Sequence, residues 1–353
     1  MKKRFDIQQY YWISKKDRAI LARQLSLVLQ SGLALVQALR TILHQTHKPA
    51  IKLILEKVID DLEKGHNFSQ SIVKHPEMFD RFFVAVVKSG EASGKLDKVM
   101  EDIAKQLEEE VKFSGEIRSA MIYPIFIVFT LFIVGIIMSI YVMPNLSTLF
   151  VESNISLPWT TTILFAITGF IGKSWLWLLL IIAFIGSLIY FYNRTDSGRL
   201  TVDYFKLRIP GISGLLEEIY MVRFSRGLEM LVKSGIPIIE AMEIMGEVMA
   251  NEIYKKSLKR VNEELAKGIP MSVPLSQDPL FPIMVPQMLA IGEKTGQMEN
   301  SLRGLGDFFQ NTAGAKIKTL SSMFEPVLIV ILGLGVAFVV FSIIMPIYQI
   351  ANA

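Results

Sequence analysis

The sequence contains no cysteine in 353 residues, which excludes a disulfide framework and thiol chemistry. It also has only four histidines. His44 and His47 are spaced to share a helix face, but no acidic residue lies within four positions of either, and two ligands make a poor zinc site. The G-x-S-x-G and H-E-x-x-H signatures of hydrolases and metalloproteases are absent as well. We therefore expect no catalytic centre, no cofactor and no metal ion, with calcium at acidic pairs such as Asp60-Asp61 as a minority alternative.

Charge is missing from three long stretches. No Asp, Glu, Lys or Arg occurs in 119–151, 174–193 or 326–353. A stretch of about 20 apolar residues, at a rise of about 1.5 Å per residue, spans the roughly 30 Å of bilayer hydrocarbon. The sequence therefore predicts three transmembrane helices, at 119–143, 174–192 and 323–348. The shorter apolar stretch 160–172 is predicted to be a hairpin or an interface helix.

The basic residues indicate the orientation of these helices. Lys and Arg number 20 in residues 1–118 and 16 in 193–322, with one in 119–192 and none after 322. Cytoplasmic segments carry an excess of Lys and Arg, so these two segments are predicted to be cytoplasmic domains. The loop 144–173 and the tail 349–353 then lie in the periplasm. The net charge of +4 gives little support for nucleic-acid binding, which needs a clustered basic surface.

The chain contains an internal repeat. The segment 21–32 returns as 224–235, an offset of 203 residues, and 88–96 returns as 290–298, an offset of 202 residues. The second offset also carries Pro124 onto Pro326. Long-period repeats of this kind indicate a duplicated structural unit. We infer that a soluble domain and its membrane helix were duplicated together.

Both soluble domains are predicted to be all-α. Ser14 precedes Asp17 as a helix N-cap would, and apolar residues follow at helical spacing. Gly32 and Gly235 stand where a left-handed C-cap would end the same helix in each copy. The helix after Gly94 is predicted to run on into the first membrane span. The fold class is therefore all-α, with two repeated cytoplasmic helical-bundle domains of about six helices each and three transmembrane helices.

A glycine-rich motif occurs once in each copy. The first, Gly90 to Lys95, resembles a nucleotide-binding loop, but it is one residue short of the G-x-x-x-x-G-K pattern and lacks the following Ser or Thr. The second copy has Gln297 in place of Lys95. Both motifs are predicted to be helix corners in which glycines allow close backbone approach and the glutamate caps a neighbouring helix. Their residues are the main candidates for partner contact: Gly90, Glu91 and Gly94 in the first copy, and Gly292, Glu293 and Gly296 in the second.

Three further candidates lie at the cytoplasmic ends of the spans. Pro124 and Pro326 are expected in the first turn or at a kink of a membrane helix. Glu325, next to Pro326, either reaches the membrane interface or pairs inside a helix bundle. The spans are otherwise almost free of polar residues, which counts against an ion or solute pathway.

Several of these features together resemble the family of type II secretion protein F and type IV pilus platform proteins. The resemblance rests on the paired Ser-Gly helix ends, the paired Gly-Glu-x-x-Gly motifs, Leu157-Pro158 with Thr162 nearby, Arg208-Ile209-Pro210-Gly211, and Glu325-Pro326. It covers essentially the whole chain, including the duplication and the order of the spans.

The resemblance implies a multi-pass platform protein of the bacterial inner membrane. Its partners would be a cytoplasmic hexameric ATPase, pilin or pseudopilin subunits, other inner-membrane assembly proteins, and lipid. The first cytoplasmic domain would lie in or on the ATPase pore, and a homo-oligomer of two or three copies is expected. From the resemblance and the missing catalytic motifs we expect a non-enzymatic coupler. The alternatives are a small-molecule transporter and a membrane-anchored enzyme.

Overall fold

The structure is a computed structural model that describes residues 13–137, 140–141, 162–163, 166, 180–181, 183–188, 190–209 and 213–351. Within these residues the chain is helical and has no β-strand, which confirms the all-α prediction. The predictions for the loop 144–173, for Leu157-Pro158 and for Pro210-Gly211 lie mostly or wholly outside the described residues. Part of the second predicted span, 174–192, also lies outside the described residues.

The first repeat forms six helices, as predicted. They are α1 (Lys15–Gln30), α2 (Leu35–Gln45), α3 (Pro49–Glu63), α4 (Phe68–Ile72), α5 (Arg81–Ala92) and α6 (Leu96–Ile137). Ser14 caps α1: its hydroxyl accepts from the Asp17 amide at 3.2 Å, and its own amide donates to the Asp17 carboxylate at 2.8 Å. The predicted N-cap is therefore confirmed.

The second repeat forms six equivalent helices, preceded by one more. The preceding helix is α7 (Asp196–Lys206), and the equivalents are α8 (Ser213–Lys233), α9 (Ile238–Val248), α10 (Glu252–Leu265), α11 (Ser272–Ser276), α12 (Met284–Thr295) and α13 (Met298–Ala351). Gly32 and Gly235 follow the ends of α1 and α8. Their φ angles are 84° and 79°, a backbone conformation that residues other than glycine rarely adopt. Both predicted left-handed helix ends are therefore confirmed.

The helices bury one side of each amphipathic pattern in a shared core. Fully buried side chains include Leu25 and Leu39 of the first repeat and Phe224 and Tyr254 of the second. Buried residues of both repeats belong to the same contiguous hydrophobic cluster. The two repeats are thus packed together around one hydrophobic core.

The chain divides into two compact units. One consists of Met1–Gly115 and Leu200–Gly314, and so contains most of both repeats. The other consists of Glu116–Arg199 and Ala315–Ala353. The domain boundaries given above, from 1–118 through 349–353, stay predictions.

Two helices are long and apolar enough to cross a membrane. α6 has 42 residues and α13 has 54, and each joins the charged end of a repeat to an apolar stretch without interruption, as predicted for the helix after Gly94. Their apolar side chains are largely exposed, as a lipid-facing surface requires. Pro124 and Pro326 lie in the interiors of α6 and α13, which excludes the first turn and leaves the kink of the two predicted placements. A shorter apolar helix, Ala183–Tyr192, falls within the second predicted span, which stays a prediction.

Candidate functional site

The Gly-Glu corner of the first repeat joins α5 to α6. Gly90 and Glu91 lie in the last turn of α5, and Gly94 follows the helix with φ of 66°. The Lys95 amide donates to the Gly90 carbonyl at 2.9 Å, which closes the turn in the manner of a Schellman motif. A Cβ at Gly90 would lie 3.0 Å from the Val99 Cβ on α6. The absence of a side chain at Gly90 is therefore what lets α5 and α6 pack this closely.

The Glu91 carboxylate caps the short helix α4. It accepts from the Phe68 amide at 2.5 Å, from the Ser69 amide at 3.0 Å and from the Ser69 hydroxyl at 2.5 Å. Amides at a helix N-terminus have no partner within the helix, and a negative charge there is favoured by the helix dipole. Glu91 thus connects the end of α5 to the start of α4, which is the capping role predicted from the sequence.

The second repeat reproduces the same corner. Glu293 accepts from the Met271 amide at 2.5 Å and from the Ser272 hydroxyl at 2.5 Å, at the start of α11. Gly296 has φ of 70°, and a Cβ at Gly292 would lie 2.9 Å from the Met298 Sδ. In both repeats the carboxylate thus accepts hydrogen bonds from backbone amides at the start of a short helix. Each corner therefore joins the end of one helix to the start of another.

The two repeats meet along α5 of the first and α8 and α9 of the second. The Ser89 hydroxyl donates to the Ser234 carbonyl at the end of α8. Arg81 pairs with Glu243 at 3.0 Å and also with Glu247. The contact therefore begins at the Gly-Glu corner of the first repeat and extends along one face of α5.

The contact also includes close packing of α5 against α8 and ion pairs between α6 and α8. A Cβ at Gly227 would lie 3.8 Å from the Phe82 ring, so the ring passes close to the α8 backbone. Lys233 donates to Asp102 at 2.8 Å. Glu110 accepts from Lys15 of its own repeat at 2.5 Å and from Arg223 of the other repeat at 2.9 Å.

The Glu110 carboxylate pairs with one cation from each repeat, Lys15 and Arg223. Burial by itself would raise the pKa of its carboxyl, but hydrogen bonding and charge from Lys15, together with Arg223, outweigh burial and lower the pKa. The carboxylate is therefore held in its charged form between the two cations. Arg226 adds a longer ion pair to Glu109 at 3.9 Å.

The remaining sequence candidates are not brought to this contact. Gly32 follows α1, while Pro124, Glu325 and Pro326 lie in the long helices; Gly235 is the exception, since it directly follows Ser234 of the contact. Glu325 is exposed. Among the described residues, no group of three His, Asp or Glu side chains could hold a metal ion. The prediction that His44 and His47 share a helix face was wrong, because α2 ends at Gln45 and His47 lies outside it.

Sequence reasoning left open whether the two repeats contact different partners or each other, and it did not locate the residues of the contact, although a signal for them exists. The signal is a set of surface positions at which the two repeats carry different residues. Ile283 occupies the position equivalent to Arg81, and Arg40 and His44 occupy those equivalent to Glu243 and Glu247. The ion pairs of Arg81 with Glu243 and Glu247 therefore have no counterpart at the equivalent positions, where Ile283 is uncharged and Arg40 has the opposite charge to Glu243.

Comparison with known proteins agrees with the duplication. The family model described as type II secretion system (T2SS), protein F, matches residues 21–144 and 224–346. The chain is 34% identical over 338 residues to the type IV pilus assembly protein PilC of Thermus thermophilus, covering 95% of this chain and 82% of the relative. It is 31% identical over 342 residues to the type II secretion system protein F of Vibrio cholerae, covering 96% and 84%. The PilC of Myxococcus xanthus is 29% identical over 342 residues, covering 97% and 82%.

Proposed function

Because the chain belongs to the type II secretion system protein F family, we propose that it is a non-enzymatic platform of a type IV pilus or type II secretion machine in the bacterial inner membrane. It couples a cytoplasmic hexameric ATPase to the assembly of pilin or pseudopilin subunits. The observation that carries this proposal is the double family match, in which each matched region contains most of one helical repeat and the apolar part of a long helix.

The distribution of charge supports the proposed orientation. With Lys and Arg concentrated in 1–118 and 193–322, both repeats are cytoplasmic, the N-terminus is cytoplasmic and the C-terminus is periplasmic. The apolar parts of α6 and α13 then face lipid and the other inner-membrane assembly proteins. Pilin subunits would meet the chain in the membrane, and the ATPase would meet it in the cytoplasm.

The long helices support a mechanical role. At about 1.5 Å per residue, 42 and 54 helical residues correspond to rods of about 60 Å and 80 Å. A helix that runs on from the repeat into the membrane can transmit displacement, even with Pro124 and Pro326 in its interior, whereas a transporter needs broken helices or charged residues within the spans. In this proposal the first repeat receives motion from the ATPase and the membrane helices pass it to the pilin subunits.

Affinity purification tests the proposed partner. The full chain, solubilised in detergent and tagged, is expected to retain the assembly ATPase encoded with its own system. The control is an unrelated tagged membrane protein of similar size and topology, which should retain none. If a folded, full-length chain fails to retain the ATPase across several mild detergents and in native membranes, the proposed coupling is wrong.

A further inference from the structure

One side of α7, with the turn after it, carries large apolar side chains beside an arginine. Tyr204, Phe205 and Ile209 are 44%, 63% and 43% exposed, and Arg208 is exposed as well. The Arg208 guanidinium carbon lies 4.3 Å from the centre of the Tyr204 ring, a cation–π contact. We call these four residues the α7 face. Large apolar side chains that are exposed next to one another on a surface indicate a binding site.

The opposite side of α7 is fixed to the second repeat. The Asp203 side chain is buried, and its carboxylate accepts from the Glu252 amide at 3.0 Å, at the start of α10. Lys206 donates to the same carboxylate group at 2.8 Å. Leu207 packs against the hydrophobic core. These contacts hold the inward side of α7, so the α7 face is a fixed part of the surface of the second repeat.

α7 also follows closely on a predicted membrane span. The apolar helix Ala183–Tyr192 falls within that span, and residues 193–203 alone separate it from Tyr204. The segment 193–209 contains four Lys and Arg against two Asp, and one of the two, Asp203, is already paired. An excess of Lys and Arg within about 20 residues of a span marks the cytoplasmic side, where anionic lipid headgroups attract it. The α7 face therefore belongs to a basic segment that is close in sequence to the predicted cytoplasmic membrane surface.

The side chains of the α7 face suit the headgroup layer of a bilayer. Tyrosine is enriched at membrane interfaces because its ring is apolar and its hydroxyl is polar. Arginine buries its aliphatic stem along apolar groups while its guanidinium pairs with phosphate. A protein partner would also cover exposed aromatic side chains, but the excess of positive charge and the short connection to the span favour an anionic lipid surface.

We propose that the α7 face binds the anionic surface of the cytoplasmic leaflet. Phe205 and Ile209 insert below the headgroups, and Arg208 pairs with lipid phosphate while it stays stacked on Tyr204. The second repeat is then held at the membrane through α7 as well as through the continuous helix α13. The inference rests on the proposed placement of the chain in a bilayer and does not depend on coupling to an ATPase.

Fluorescence quenching by lipid tests this contact, and labelling is specific because the chain has no cysteine of its own. The full-length Ile209→Cys chain, labelled with a fluorophore, is reconstituted without any partner into vesicles of phosphatidylcholine with or without phosphatidylglycerol. A spin label on the lipid headgroup is expected to quench the fluorophore in the anionic vesicles and much less in phosphatidylcholine alone. Ile291→Cys, on α12 and 54% exposed, is the matched control and should be quenched in neither. Leu334→Cys, in the apolar part of α13, should be quenched in both by a spin label on the acyl chain.

Substitution of Arg208 in the labelled chain provides an independent readout. In Arg208→Gln the ratio of lipid-bound to unbound fluorophore is expected to fall by about fivefold in the anionic vesicles, because one cationic side chain near an anionic surface is lost. Arg208→Lys keeps the charge and should keep most of the quenching.

The proposal is overturned if the Ile209→Cys chain is unquenched while the Leu334→Cys chain is quenched, if quenching is equal with and without phosphatidylglycerol, or if Arg208→Gln changes nothing. A fluorophore at position 209 that is shielded from aqueous iodide yet unquenched by lipid would identify a protein contact and overturn it too. Loss of quenching in the Leu334→Cys chain would contradict the proposed membrane placement itself, and this proposal with it.

Discussion

Replacement of Glu91 by alanine is expected to speed hydrogen exchange at the Phe68 and Ser69 amides by about 5- to 150-fold. These amides lose their carboxylate acceptor, and an unsatisfied, partly buried donor costs about 1–3 kcal/mol, with about 1.4 kcal/mol for each factor of ten. The measurement is hydrogen exchange followed by mass spectrometry on peptides that cover 66–74, in the full chain in detergent. The faster exchange should be confined to the first turn of α4, because the Asn67 amide still donates to the Gln70 side chain and Phe68 and Ile72 stay buried.

The duplication supplies the matched control. Glu293→Ala should speed exchange in peptides that cover 270–277 and leave those covering 66–74 unchanged. Glu91→Gln should have a smaller effect, because its amide oxygen still accepts one hydrogen bond. If the first repeat receives motion from the ATPase as proposed, Glu91→Ala should also abolish filament assembly while membrane insertion stays normal. Unchanged exchange at α4 would show that the carboxylate does not cap it.

Replacement of Gly90 by leucine is expected to lower the midpoint of thermal unfolding by about 2–12 °C. The leucine side chain would overlap Val99, because even a Cβ at Gly90 would lie 3.0 Å from the Val99 Cβ, and overpacking costs about 1–3 kcal/mol. The measurement is the loss of the helical circular dichroism signal on heating in detergent. Val99→Ala in the same chain should restore part of the midpoint by making room.

Gly115→Leu is the control for Gly90→Leu. Gly115 also lies within a helix, α6, but a Cβ there meets no atom within 4 Å. The change should leave the midpoint unchanged or raise it slightly, because leucine favours helix more than glycine does. Equal losses at both positions would show that close packing of α5 on α6 is not the cause.

The helix ends and the corners could be predicted from the sequence because they depend on local chemistry. Ser14 with Asp17 forms a cap within one turn, and a glycine after an apolar helix adopts positive φ whatever lies beyond it. The capping role of Glu91 was predictable because Glu293 repeats it in the same setting. The prediction that His44 and His47 share a helix face failed because α2 ends one residue after His44, a break that Pro49 at the start of α3 signals in the sequence.

The contact between the repeats could not be predicted in the same way. Arg81 and Glu243 are 162 residues apart, and no local pattern places them together. Each is an ordinary exposed charge when its own helix is considered alone. Their pairing depends on how two bundles pack, which is a tertiary property, and only a comparison of the two copies would have pointed to it.

The most direct test of mechanical coupling is ATP hydrolysis in a reconstituted system. The full chain in lipid nanodiscs is mixed with increasing amounts of its assembly ATPase, and both binding and ATP turnover are measured. If force rather than chemistry passes through this chain, the chain alone should hydrolyse no ATP, and it should bind the ATPase saturably and change its turnover rate. ATP hydrolysis by the chain alone, or an ATPase that neither binds nor changes its rate, would contradict the proposed role.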